Sequence, residues 1–257
     1  MSLYLLWLIS FVIAPLVLIV YYSLTNREWV FTFCNFVNSF GYVYIKVLLR
    51  SIYFALLATL TCLLTAYPVA YILFTLKRKT SSRILSLLLI PMWINILLRT
   101  YAWLTILEKN GIINFILSLL KIKKIKLLYK TSSMILGMTY DFLPIMILPL
   151  YNSFRKIDKT IIETAKDLGA NDFLVFTKII FPLTISGIYS GFNLVFMSSL
   201  TTFVIPDLLG GGKFMLIGNL IEKEFLFAND WHLGSSLSVI LVSIIIFTVF
   251  LLSNSKK

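Results

Sequence analysis

Six runs of mostly apolar residues, at 3–24, 47–76, 84–107, 132–151, 179–205 and 234–253, recur along the chain. Each is about as long as a helix must be to cross the hydrocarbon core of a bilayer. Lipid offers no water to satisfy backbone N–H and C=O groups, so such runs fold as helices. The expectation is an all-α, polytopic membrane protein of about six transmembrane helices, with residues 1–257 as one domain. Composition agrees. The chain is 59% hydrophobic and only 13% charged, with a mean hydropathy of +0.93, whereas a soluble domain is about a quarter charged. No basic stretch precedes the first run and no small-residue cleavage site follows it, so it reads as a retained helix.

A net charge of +12 raises the question of nucleic acid. The cations, however, sit mostly in loops between the apolar runs, which membrane topology accounts for. Residues Lys77, Arg78, Lys79 and Arg83 form a compact basic turn, and a lysine cluster lies in the weaker segment at 108–131. With both ends on one side, each side collects eleven basic residues, Lys256 and Lys257 included, so charge alone sets no orientation. Cys34 and Cys62 lack metal-ligand spacing and read as two unpaired thiols. The stretch at 206–213 ends in Gly-Gly-Gly-Lys, but Asp207 and Phe214 stand where a phosphate-binding loop needs glycine and a magnesium-binding hydroxyl. It reads as an ordinary loop, followed by a short amphipathic helix at 216–231.

Two charges fall deep inside spans, away from their ends. Arg99, followed by Tyr101 and Trp103, either snorkels to the interface or takes a pairing or gating role. Asp141, between Tyr140 and Phe142, is the single acid of eleven within a span, and an acid there marks a functional site by default. It either serves a cationic substrate or pairs with Arg99. Tyr140, Arg99, Trp103 and Asp141 are therefore the pathway candidates, with Glu108 and Asp207 next in line.

The charged stretch at 158–182 is patterned in a different way. Thr160 followed by Glu163 predicts a capping box. Ile161, Ala165 and Leu168 recur at helical spacing, with Glu163, Lys166 and Asp167 on the other side. Gly169 is placed to stop this short helix in a left-handed cap. Asn171 or Asp172 can then start a second helix, apolar until Pro182. A charged two-turn helix hung between hydrophobic spans has the look of a docking element. The small residues Ser186, Gly187, Ser190 and Gly191 in the next span predict close helix packing.

Glu163, Ala165, Gly169, Ile179 and Pro182 fall at the spacing of the EAA loop of bacterial ABC importer permeases. Thr164 replaces an alanine of that pattern and Phe181 a leucine. In that family the segment, here about 155–182, is a cytoplasmic coupling helix seated on the ATPase subunit. Three further stretches, Leu-Leu-Arg99-Thr-Tyr-Ala-Trp103, Asp141-Phe-Leu-Pro-Ile-Met-Ile-Leu-Pro149 and Gly210-Gly-Gly-Lys-Phe-Met-Leu-Ile-Gly218-Asn-Leu-Ile-Glu222, resemble the B-type permeases of spermidine/putrescine importers. His232 stands where that subfamily has a proline, and reads as an interfacial polar residue.

The resemblance implies a type I importer permease fold in the bacterial cytoplasmic membrane, with both termini in the cytoplasm. It implies a second permease subunit, two cytoplasmic ATP-binding subunits, an extracytoplasmic substrate-binding protein and a polyamine cargo. The chain itself would bind no cofactor, since ATP and magnesium belong to the ATPase, and would hydrolyse nothing. The alternatives are a permease for another cation or an amino acid, an integral membrane enzyme, and a stand-alone secondary transporter. The single histidine and the lack of a nucleophile–base pair disfavour the enzyme, and the lack of an internal repeat disfavours the secondary transporter.

Overall fold

The computed structural model describes residues 2–254, so Lys256 and Lys257, which entered the charge count, lie outside the described residues. Helices account for the architecture: α1 (Tyr4–Ser23), α2 (Cys34–Ser39), α3 (Tyr42–Thr75), α4 (Arg78–Leu89), α5 (Ile96–Leu107), α6 (Ile112–Leu119), α7 (Thr131–Phe154), α8 (Lys159–Asp167), α9 (Asp172–Thr201), α10 (Val204–Gly210), α11 (Ile217–Leu226) and α12 (Trp231–Asn254). Five of them, α1, α3, α7, α9 and α12, are long and apolar enough to cross a membrane.

Five of the six expected spans are thus present as continuous helices. The third is not. The run at 84–107 is split by a 3₁₀ turn at Ile90–Trp93, and the chain bends by 94° between Arg78–Trp93 and Ile96–Leu119. Pro91 removes a backbone donor there. Asn95 then caps α5, its Oδ1 accepting the Leu97 N–H at 2.8 Å. The basic turn also differs from expectation, because Arg78, Lys79 and Arg83 lie within α4.

Three other boundaries shift. The loop expected at 25–46 contains α2 and ends at Tyr42. Pro182 does not stop the second helix after the charged stretch. A π-helical stretch, Phe176–Ile180, precedes it, and the helix runs on to Thr201. The loop expected from Pro206 is helical to Gly210 and turns only at Gly211 and Gly212, with φ of +62° and +69°. The helix expected at 216–231 ends at Leu226, and Asp230 instead caps α12, its Oδ1 accepting the Leu233 N–H.

The core lies where α3, α7 and α9 pack against one another. Small residues make that packing close, as expected. A Cβ on Gly187 would lie 2.5 Å from the Ser153 Cβ, and one on Gly191 2.6 Å from the Met146 sulfur. Ser153 and Ser186 hydroxyls meet at 3.3 Å across the same seam. The Gly218-Asn motif ties a second cluster together. The Ile217 N–H donates to Ser51 Oγ at 2.7 Å, Asn219 Nδ2 donates to the Phe203 carbonyl at 2.8 Å, and Gly218 sits against the Thr201 carbonyl. Helix α1 rests on α12 and buries none of its apolar span. Half-buried His232 links the two, its Nδ1 3.1 Å from the Tyr22 carbonyl.

Candidate functional site

Helix α8 starts at Asp158. Its Oδ1 accepts the Thr160 hydroxyl at 2.6 Å and the Thr160 N–H at 3.0 Å, and these two donors hold the carboxyl below its ordinary range. The expected Thr160–Glu163 capping box is therefore corrected: a better acceptor stands two residues earlier, and the Thr160 hydroxyl donates to it. The Thr164 hydroxyl turns back onto the Thr160 carbonyl at 2.8 Å. The other end follows the sequence expectation. Gly169 has φ +88°, its N–H reaches the Lys166 carbonyl at 2.9 Å, and the Ala170 N–H reaches Ala165 at 3.0 Å. These two bonds form a Schellman stop. Asn171 restarts the chain by accepting the Leu174 N–H at 2.8 Å. Lys166 Nζ meets Asp172 Oδ1 at 2.7 Å across the turn, and this bond raises the lysine's affinity for its proton.

The faces of α8 correct the sequence reading. Ile162 and Ala165 pack inward, together with Ile179. Ile161 and Leu168, expected on one apolar side with Ala165, point out, and Leu168 is 84% exposed. Phe173, which sequence reasoning passed over, is 75% exposed beside them. Leu168 and Phe173 both lie uncovered by this chain's own fold, in a loop rich in charge. Glu163 and Thr164 are exposed, and Glu163 borders a cavity of about 290 Å³ with Tyr71, Lys159 and Lys166. Pro182 is exposed just past the π-helical stretch.

Behind α8 lies an aromatic block. Phe154, fully buried at the end of α7, packs on Tyr67 at 5.3 Å and Phe74 at 5.6 Å, while Phe176 packs edge-on to Tyr71 at 5.9 Å. The Tyr67 hydroxyl pairs with Thr184 at 2.9 Å. The inner face of α8, through Ile162 and Ala165, packs against this core, with Tyr71, Phe74, Val175 and Ile180 of α3 and α9 around the same cavity.

The pathway candidates divide. Arg99 on α5 and Asp141 on α7 form an ion pair, Nη1 to Oδ1 at 3.2 Å, with side chains 11% and 2% exposed. The atoms are close without the alignment of a hydrogen bond. Of the two roles weighed for Asp141, its position is that of the pair. One residue away, Tyr140 packs edge-on to Trp103 at 5.3 Å. Both line a cavity of about 630 Å³ between α3 and α7, with Thr61, Thr65 and Thr139. Thr61 and Thr139 hydroxyls meet there at 2.8 Å. These threonines carried no sequence signal beyond their place in a span. Glu108 caps the end of α5 and Asp207 lies in the first turn of α10. Both are exposed, and neither forms an ion pair among the described residues. Among the described residues no group of histidine, cysteine or acidic side chains could hold a metal ion.

Residues 63–255 match the family model of the binding-protein-dependent transport system inner membrane component. The chain is 39% identical over 243 residues to the spermidine/putrescine transport system permease protein PotB of Escherichia coli (strain K12), covering 91% of this chain and 88% of that one. It is 36% identical over 259 residues to the PotB of Haemophilus influenzae, covering 98% and 91%. A chain of a crystallised bacterial alginate ABC transporter, in complex with its alginate-bound periplasmic protein, superposes with a TM-score of 0.82. That match covers 98% of this chain and 91% of the other at 15% identity, so it speaks for the fold alone. With the family model covering the EAA loop, the pathway residues, three of the five long spans and the end of α3, this multi-pass membrane chain belongs to the binding-protein-dependent transport system inner membrane components.

Proposed function

We propose that this chain is a permease subunit of an ATP-driven spermidine/putrescine importer, forming half of the translocation pathway. The observation that carries the reading is the identity to PotB permeases over nearly the whole chain. The geometry adds two supports. Leu168, at the end of α8, and Phe173, at the start of α9, leave an uncovered apolar face suited to a groove on an ATPase. Trp103 and Tyr140, with threonine hydroxyls beside them, suit an alkylammonium, which aromatic faces attract and hydroxyls solvate. Partners follow from the reading: a second permease, cytoplasmic ATPase subunits that bind ATP and magnesium, and an extracytoplasmic receptor. The chain supplies no hydrolytic groups, its termini and coupling loop face the cytoplasm, and 1–257 acts as one permease domain.

The test is uptake of labelled spermidine by cells stripped of their own polyamine importers and given this chain with its partner subunits. Energy-dependent uptake that unlabelled putrescine or spermidine competes away, and that arginine or neutral amino acids do not, is the expected outcome. Competition by an amino acid instead would reassign the cargo. Uptake without any ATPase subunit would overturn the importer reading.

A further inference from the structure

Helix α4 has two unlike faces. Ser81, Ile84, Leu85 and Leu88 face inward, and the Ser81 hydroxyl donates to the Tyr151 hydroxyl at 3.0 Å. That bond fixes the start of α4 beside the end of α7, on the same membrane side as α8. The opposite face lines an open groove of about 1020 Å³, the upper end of what ligand sites usually offer. Its residues are sorted along the helix. Arg78, Lys79 and Arg83 stand at one end, and Leu87, Ile90 and Trp93 continue it, with Trp93 91% exposed. None of the three cations is ion-paired among the described residues.

We infer that this groove holds an anionic diacyl phospholipid from the leaflet on the coupling-loop side, phosphate against Arg78, Lys79 and Arg83, acyl chain along Leu87 to Trp93. Charge complementarity selects the headgroup. Cations lying just outside an apolar surface attract anionic lipid, each strengthening the contact about fivefold. The groove's length selects lipid over protein. From Arg83 to Trp93 the chain rises about 15 Å, close to one leaflet of a core about 30 Å thick. Beyond Trp93, the last residue lining the groove, the chain turns through 94°. A transmembrane helix of a partner would need a groove crossing both leaflets, whereas an acyl chain needs only one. The inference rests on the membrane embedding and is independent of the cargo.

The assembled importer, purified in detergent with equal phosphatidylglycerol and phosphatidylcholine, would be weighed by native mass spectrometry, counting lipids on intact complexes only. With about fivefold from each of three cations, wild type should retain phosphatidylglycerol over phosphatidylcholine by about 25-fold or more. Neutralising two cations in K79Q/R83Q should lower that preference by about tenfold or more. Ser86→Trp, which fills the groove and leaves the cations in place, should remove the retained phosphatidylglycerol as well. Parity in the wild type, or a preference that survives both variants, overturns the inference. So does efficient cross-linking of Ser86→Cys to the partner permease by a short thiol reagent, which would make the occupant a protein.

Discussion

Replacing Asp141 by asparagine would leave the Arg99 guanidinium without its counter-charge in a site where the two side chains are 11% and 2% exposed. At 3.2 Å and an effective dielectric constant of about 20, the attraction is about 5 kcal/mol, set against the cost of taking both ions out of water. Removing one partner forfeits the attraction and keeps the other ion's cost, so about 3–5 kcal/mol of stability should go. Insertion scales agree, since a lone arginine at a helix centre costs about 2.5–3.5 kcal/mol. In the double variant, Arg99→Gln with Asp141→Asn, both costs vanish, and stability should return to within about 1–2 kcal/mol of wild type, a coupling of about 2 kcal/mol or more. The assay is the melting of the assembled complex in detergent, with the yield of folded protein and polyamine uptake measured alongside. Wild-type melting of Asp141→Asn would refute the reasoning. So would a double variant as unstable as the single. A third outcome, a well-folded Asp141→Asn complex that has lost uptake and is not rescued at Arg99, would move Asp141 from the pair to the cargo.

At Gly169 a Cβ would meet nothing within 4 Å, so substitution there tests φ +88° alone. ATPase activity stimulated by the assembled complex should fall in the order asparagine, alanine, valine, with alanine costing the loop about 1–2 kcal/mol; a flat series would dismiss the left-handed stop as the cause. Leu168→Ala and Phe173→Ala should insert normally yet weaken ATPase co-purification about tenfold or more each, as buried anchors do, and unchanged co-purification would remove α8 from the interface. A cysteine at Lys124 should be labelled by an impermeant reagent outside intact cells and one at Lys166 should not, because α7 separates them; the reverse pattern would invert the topology.

How much of this was legible in the sequence depended on what each residue answers to. Asp141 and Arg99 stood out because each is a charge within an apolar run, and lipid penalises such charges enough that they find each other. Gly169 was legible because a left-handed stop is a local requirement. The break after Trp93 was not, since hydropathy averages straight across Pro91 and Asn95 and registers apolarity, not direction. Pro182 misled for a related reason. A proline usually ends a helix, but the π-helical stretch before it absorbs the missing donor and the chain continues. Ile161 and Leu168 were placed on the wrong face because apolar spacing was equated with burial in this chain. In the proposed importer their apolarity answers to a partner, and a single sequence does not say which side of a helix its own fold covers.

The ion pair and the aromatic block would divide the work of transmission between them in the proposed importer. In the proposed importer, a load on Leu168 and Phe173 passes through Ile162 and Ala165 into Phe154, Phe74, Tyr67 and Phe176, side chains packed ring to ring at 5.3–6.1 Å. A close-packed interior compresses little, so α8 cannot be pushed without moving the ends of α3, α7 and α9 together. Helix α5 lies outside that block, reached only after the chain has bent by 94°. What ties it to α7 is the contact of Arg99 with Asp141 and, one residue along, of Trp103 with Tyr140. The pair therefore sits where movement of the rigid block must be passed to the helix that carries half of the aromatic wall. A charge pair suits that position: it holds two separately anchored helices in register, whereas an apolar contact would let them slide.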